Sequence, residues 1–400
     1  MVISRTQTSG LHSSPAAAFR RKLNDLRSKG QTVIDLTAGD LDFPSPPHAV
    51  EAAVRAAREG DTRYTNVDGT PELKDAVQEH FRRQNGLDFD RSEIIVTTGS
   101  SQAIANAFAV TLQQGDEVII PNPSWATYAG QAALAGGSPV FVSCAQNNGF
   151  KLRAADLAGA ITERTRWIVI NNPVNPTGAL YTGAELAELC AVLRRHPHVR
   201  VLADNLYEHL VFEGRKAVTP LEVAPDLRDR TVTISGVAKS YSMMGWRIGY
   251  AAGPAGLIAE MTKVQYLTTS CPSSISQAAA AAALLGPQDL LAERADVLRA
   301  KRDLLVDLVN GAAGLACVAP EGTFYLCVSC AGAIGRQRAE GGIIGTGGDV
   351  SDYFLEAAGV AVLPGEAYGM PGYIRATFAV PTEDIQRAGR LIGDACQALR

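Results

Sequence analysis

The sequence predicts an α/β protein built on a largely parallel sheet, and three observations carry that prediction. Between about residues 93 and 254, short β-branched runs recur with helix-length segments between most of them. Those runs are apolar almost throughout instead of alternating, as strands covered on both faces are. The chain has 400 residues, 46% of them apolar, which is enough for one large domain and a smaller one.

In order, the strand candidates are EIIVTTG (93–99), EVIIP (117–121), PVFVS (139–143), RWIVINNP (166–173), RVLADN (200–205), TVTISG (231–236) and RIGYAAG (247–253). Among the intervening helices, YTGAELAELCAVLRRHP is the best marked, because Thr182 and Glu185 form a capping box ahead of an apolar run that ends in arginines. The Ala-rich SSISQAAAAAALL (273–285) predicts another helix. A long charged amphipathic stretch and then separated strands follow it. The spacing therefore places a boundary near 290, with a large domain over 51–290 and a smaller α+β domain made of 1–50 and 291–400. No period of 20–50 residues repeats.

Net charge is only −4, and no block of lysine or arginine stands out, so nucleic acid is not an expected partner. No apolar run is long enough to span a bilayer, and no membrane association is expected. Seven scattered cysteines suit a reducing, cytoplasmic setting. The C-x-x-C of Cys327 and Cys330 lies in an apolar run with no second pair and reads as core. Four basic residues and no acid among the first 23 resemble an organelle transit peptide in composition; an arm packed on a partner is the plainer account. None of the six histidines stands at metal-ligand spacing from another ligand type, although Glu208 and His209 adjoin Tyr207.

Ligands of open parallel sheets collect outside the carboxyl ends of the strands. After the first run come Gly99, Ser100, Ser101 and Gln102 at a helix start, either a cradle for phosphate or an ordinary N-cap. Asn122-Pro123-Ser124-Trp125 follows the second, its indole either a plate for a flat ring or a core residue. NNPVNPTG presents the Asn175 amide from an irregular turn, or is simply a turn. RVLA leads to Asp204 and Tyr207, and a buried Asp204 would call for a cation. TVTISG leads to Lys239 and, eight residues on, Arg247. Phosphate donors, an aromatic plate, a carboxylate for a pyridinium proton, a phenol, an amine for a Schiff base and a guanidinium together match pyridoxal phosphate. The G-x-G-x-x-G of nicotinamide binding is missing after the first strand.

From about residue 30 to 395 the chain resembles the class I aminotransferases of the aspartate aminotransferase family, fold type I of the pyridoxal-phosphate enzymes. The motifs carrying the resemblance are LTAGDLDFPSPP, RYTNVDGTPELKDAV, TTGSSQA, PSW, NPTG, ADNLYEH, AKSYSMMGWRIGYAAGP, GTFYL, AVLPGEAYG and YIRATFAV. The resemblance implies that Lys239 carries the cofactor, Asp204 meets its pyridine nitrogen, and Tyr207 and Asn175 meet its phenolic oxygen. It also implies that Trp125 lies against the ring. Ser100, Ser101, Gln102, Ser235 and Arg247 would hold the phosphate end, joined by Tyr64 of the partner subunit in a homodimer. Arg375 would clamp the substrate α-carboxylate, helped by Asn175, Trp125 and the Gly39 backbone.

Three departures stand out. Gly236 occupies a position where many relatives have a phosphate-binding serine, with Ser235 beside it. Asn205 follows Asp204 where relatives have glutamate. Ser101 replaces the phosphate-loop lysine of dicarboxylate-specific relatives, which leads us to expect a substrate other than aspartate or glutamate. The glycine-rich 335–349 segment is expected to be a mobile loop or lid. The implied reaction is amino-group transfer from an L-amino acid to a 2-oxo acid. The alternatives are β- or γ-elimination, replacement or cyclisation on the same scaffold, and a binding protein without catalysis.

Overall fold

The computed structural model describes residues 15–400, and side chains from Phe19 onward. The first fourteen residues, part of the expected N-terminal arm, lie outside the described residues.

Thirteen strands follow one another along the chain: β1 (Ile34–Asp35), β2 (Ile94–Thr97), β3 (Glu117–Asn122), β4 (Ser138–Ser143), β5 (Thr165–Asn171), β6 (Arg200–Asp204), β7 (Thr231–Gly236), β8 (Gly249–Ala252), β9 (Ala316–Cys317), β10 (Tyr325–Ser329), β11 (Val360–Ala361), β12 (Leu363–Pro364) and β13 (Tyr373–Thr377). The seven runs read from the sequence are β2 to β8, and they form one sheet in the order β2-β8-β7-β6-β5-β3-β4. Every pairing in it is parallel except those of β8, which runs against both β2 and β7. Because β8 is reversed, its amino end stands beside the carboxyl ends of its two neighbours, with Gly249 opposite Thr97 and Gly236.

The strands stop short of the apolar runs for local reasons. RIGYAAG loses Arg247 and Ile248 because Arg247 adopts the left-handed conformation (φ 58°). RWIVINNP ends at Asn171, ahead of the Pro173 that could not donate to the ladder. β2, β3, β5, β6 and β7 are mostly buried, whereas β4 at the edge leaves Phe141 exposed. The expected capping box is present, with Thr182 accepting from the Glu185 amide at the head of helix Gly183–Arg194. Helix Ser274–Leu285 begins where Ser273 caps it.

Two apolar clusters cover the faces of the large sheet. A third surrounds the four-stranded sheet β12-β13-β10-β9 and takes in Tyr207, Leu210 and Phe212, which follow β6. Helix Asp289–Asn310 joins the two regions: Leu291 packs with the large-sheet core and Leu298, Leu305 and Val309 with the other. Helix Pro15–Ser28 is seated on the same chain through Phe19 and Leu23, against Leu363 and Tyr368.

Candidate active site

The carboxyl ends of β6 and β7 open into a cleft closed on its far side by β13 and Tyr325. Gly39, Trp125, Asn175, Asp204, Tyr207, Lys239 and Arg375, far apart in sequence, all line it. Ser101, Gln102 and Arg247 line the recess beside it.

Asp204, the last residue of β6, is 3% exposed. Its Oδ2 accepts from the Tyr128 hydroxyl at 2.5 Å and its Oδ1 from the Leu206 amide at 3.1 Å. Burial pushes the carboxyl above its ordinary range, and those two hydrogen bonds only partly offset it. The sequence called for a cation beside Asp204, yet among the described residues none comes within ion-pair distance. A buried acceptor held by a phenol and an amide suits a protonated ring nitrogen supplied by a ligand. Tyr128 is the residue that sequence reasoning missed here. Its signal was proximity, three positions past Trp125 in the first turn of helix Thr127–Leu134, and the two rings meet edge to face at 5.3 Å.

Lys239 Nζ donates to the Gly39 carbonyl at 2.6 Å and lies 5.5 Å from the centre of the Phe324 ring. The Asn175 amide nitrogen donates to the Tyr207 hydroxyl at 3.3 Å, and Asn175 is pinned by its own backbone N–H to Asn171 Oδ1 at 2.7 Å. Its Oδ1 is buried without a partner. Arg375, in mid-β13 and 5% exposed, is held between aromatic faces, 4.0 Å from the Tyr325 ring centre and 4.6 Å from that of Tyr368. Nη2 donates to the Thr37 carbonyl at 3.1 Å, and Nε is buried with no partner. A fixed, buried guanidinium without a carboxylate is a receptor for one. Tyr325, Tyr368 and Thr37 also escaped the sequence reading.

Two segments converge at the other end. Helix Ser100–Thr111 starts directly after Gly99, whose φ of 80° favours glycine and where a Cβ would collide with the Arg247 guanidinium. A Cβ on Gly249 would strike the backbone of Ser100. These two glycines let a helix N-terminus, two serine hydroxyls and a guanidinium close into a cup for an anion. Arg247 is steadied by a hydrogen bond from Nη1 to the Met244 carbonyl at 2.9 Å. The donor set thus fits pyridoxal phosphate from its phosphate to its ring nitrogen.

Several expectations need correction. Ser235 does not face the cleft: its hydroxyl donates to Glu208 Oε1 at 2.6 Å, in a buried group with His80 Nε2, 3.0 Å from the same oxygen. Gln102 serves its own turn, accepting from the Thr98 amide at 2.7 Å and donating to Thr269 at 2.7 Å. The histidines are not all isolated from other ligand types, since His80, Glu208 and His209 lie together. Residues 335–344 do not cover the cleft. They fold back on themselves between Gly335 and Ile344, and Gln337 pairs with Arg400 in both directions. Tyr64, expected to act from the partner subunit, is 90% exposed within its own chain. Cys327 and Cys330 are free thiols, burial pushing both up to about 12.

This sheet, with a lysine, an unpaired buried carboxylate and an anion cup along one edge, defines a fold type I pyridoxal-phosphate enzyme. Similarity to known proteins narrows the class. A family profile described as aminotransferase class I and II matches residues 31–392, and the chain belongs to that family. It is 47% identical to an aspartate aminotransferase of Rhizobium meliloti (strain 1021), over 94% of this chain and 91% of the relative. To a probable aspartate/prephenate aminotransferase of Rickettsia bellii it is 45% identical over the full length of both. The crystal structure of the Rhizobium meliloti aspartate aminotransferase superposes with a TM-score of 0.98 at 44% identity, covering both chains completely. That of the Thermus thermophilus aspartate aminotransferase with maleate gives 0.90 at 34% identity, over 99% of this chain and all of the other. The protein is a pyridoxal-phosphate-dependent aminotransferase acting on amino and oxo acids, and nothing observed favours the elimination, replacement or ring-forming alternative. Among the described residues, no helix is long and apolar enough to cross a membrane.

Proposed function

We propose that the cleft transfers the amino group of an L-amino acid to a 2-oxo acid with the residues above in distinct roles. Lys239 holds the cofactor, Asp204 its ring nitrogen, Tyr207 and Asn175 its phenolic oxygen, Trp125 its face, and Ser100, Ser101 and Arg247 its phosphate. When bound, pyridoxal phosphate supplies an electron sink that makes the substrate Cα–H acidic. Arg375 orients the substrate through its α-carboxylate, which turns Cα toward Lys239. Once freed by the substrate amine, Lys239 Nζ takes up the proton leaving Cα and delivers it on the cofactor side instead of back to Cα, which is the relocation a transfer requires. Tyr128 keeps Asp204 in place, its hydroxyl remaining a donor because burial raises its pKa.

The observation that carries these assignments is the buried carboxylate of Asp204, which finds no cation among the described residues, at the strand end next to the one bearing Lys239. Borohydride reduction of the loaded enzyme followed by peptide mapping tests it: the reduced cofactor should be fixed on Lys239, and a tag on any other residue would refute the scheme. The aspartate and prephenate in the relatives' names are the first substrates to try.

We also infer a homodimer in which the partner subunit's Tyr64 completes the phosphate cup; the exposure of this tyrosine supports that reading. The two core regions support the division into 51–290 and 1–50 with 291–400. The unpaired thiols favour a reducing, cytoplasmic setting.

A further inference from the structure

We propose that Arg294 is a positioning residue for Lys239: it ties the segment bearing the lysine to the loop bearing Gly39, and so fixes the direction of the amine. This deepens the transferase reading and rests on it for the role of Lys239 as proton carrier.

Arg294 stands in the second turn of helix Asp289–Asn310 and is not among the residues that line the cleft. Its guanidinium is divided between two main-chain carbonyls. Nη1 donates to that of Ser240, directly after the lysine, at 3.2 Å, and Nη2 to that of Pro44 at 2.6 Å. Those acceptors lie 54 and 250 positions away along the chain. Burial holds the guanidinium below its usual range, and no carboxylate opposes the shift. A half-buried cation without a counter-charge gives up solvation for nothing electrostatic in return. What this position uses is the planar fork of donors, which reaches two separate acceptors where an ammonium would reach one.

The neighbouring contacts hold the same junction. Phe43 lies against the guanidinium, its ring centre 5.3 Å away. Lys301, seven residues on and on the same helix face, lies 5.7 Å from that ring centre and pairs with Asp42. One helix thus grips residues 42–44 through a carboxylate, a ring and a carbonyl. A second tie joins the same two segments: the Ser45 hydroxyl donates to the Ser242 carbonyl at 3.1 Å and accepts from the Trp246 indole at 3.0 Å. Three residues before Asp42, Gly39 presents the carbonyl that receives Lys239 Nζ at 2.6 Å. A free lysine amine ranges over many rotamers, and a fixed acceptor selects one of them. Freeing the loop from the Lys239 segment would move that acceptor while leaving every side chain of the cleft unchanged in kind.

The test uses the full-length enzyme with Arg294→Met, which keeps an apolar stem against Phe43, and Arg294→Lys, which can reach one carbonyl and not both. In cofactor-loaded protein, conversion of the cofactor is followed spectroscopically with the amino acid converted fastest, carrying hydrogen or deuterium at Cα. Arg294→Met should lower the limiting rate about tenfold, keep the half-saturating concentration within about threefold, and raise the isotope effect, because a misplaced base makes proton removal the slow step. Arg294→Lys should fall between Arg294→Met and wild type. In cofactor-free protein, capture of added pyridoxal phosphate by Lys239, read from the growth of visible absorbance, should slow about three- to tenfold in Arg294→Met. A loss of thermal stability with limiting rate, isotope effect and capture rate all unchanged would overturn the proposal. So would a slower conversion whose isotope effect stays at the wild-type value. If no amino acid converts the cofactor, the transferase reading fails, and the capture rate still decides whether Arg294 positions the amine.

Discussion

Asp204 and Glu208 are both carboxylates, four residues apart, and both nearly inaccessible, at 3% and 2% exposure, yet they are set up in opposite ways. Burial raises Asp204, and the chain supplies only a phenol and an amide to oppose it. Burial also acts to raise Glu208, but the attraction and hydrogen bond of His80, the proximity of His209 and the Ser235 hydroxyl outweigh it and bring the group down to about 2. One acid is left uncompensated at a strand end, where a ligand can complete it. The other is compensated within the chain, through one oxygen that meets both His80 and the Ser235 hydroxyl, and belongs to the architecture. Burial alone does not distinguish a functional acid from a structural one; the origin of the opposing charge does.

This contrast can be broken in several ways. Lys239→Ala should reduce turnover by ~10⁴-fold or more and abolish the visible absorbance of the bound cofactor, because both the attachment and the proton carrier are lost. Asp204→Asn should cost roughly 10²- to 10⁴-fold in kcat. The cofactor-free form of that variant should be at least as stable as wild type in a denaturant titration, since an uncompensated buried charge has been removed. Glu208→Gln should do the reverse, losing about 3 kcal/mol of stability while kcat/KM stays within about tenfold. Tyr128→Phe should lower kcat by about tenfold without shifting KM for the amino acid, through one lost hydrogen bond to Asp204.

The pH dependence of the cofactor-free protein should sharpen the comparison. His209, which burial pushes from an ordinary 6.5 down to about 4, is neutral in the fold. Its contribution is complete above about 6.5 and is lost as pH falls toward 4. Glu208, held near 2 against an ordinary 4.5, loses its contribution between those two values. Asp204 has the opposite sign, its folded pKa being raised, so that its unfavourable burial disappears on acidification. Stability measured from pH 7 to 3 should therefore decline in two stages, and Glu208→Gln should flatten the lower one.

Much of this was legible in the sequence, and the gaps have physical causes. All seven strands of the large sheet declare themselves as apolar runs, and the residues at or just past their carboxyl ends include Trp125, Asn175, Asp204 and Lys239. Ser235 was misplaced because its chain neighbourhood was weighed above the alternation of strand side chains, which turns it away from the face of Gly236. His80, Tyr325 and Tyr368 reach their partners only through the tertiary fold, His80 lying 128 positions before Glu208. The 335–349 segment looked free because its ladder partner is the C-terminal residue, Arg400, which no local pattern indicates.

The reversed strand β8 also acts as a gauge. Residues 237–248 leave β7 and re-enter the sheet as β8, and they bear the two groups we assign to opposite ends of the cofactor, Lys239 and Arg247. Tyr241, Met243 and Ile248 bury that excursion, and the Tyr241 hydroxyl ties it to Gln288 at 2.6 Å. Its span is set before any guest arrives, so adding or deleting even one residue there would mismatch the separation of amine and guanidinium to the molecule they must share.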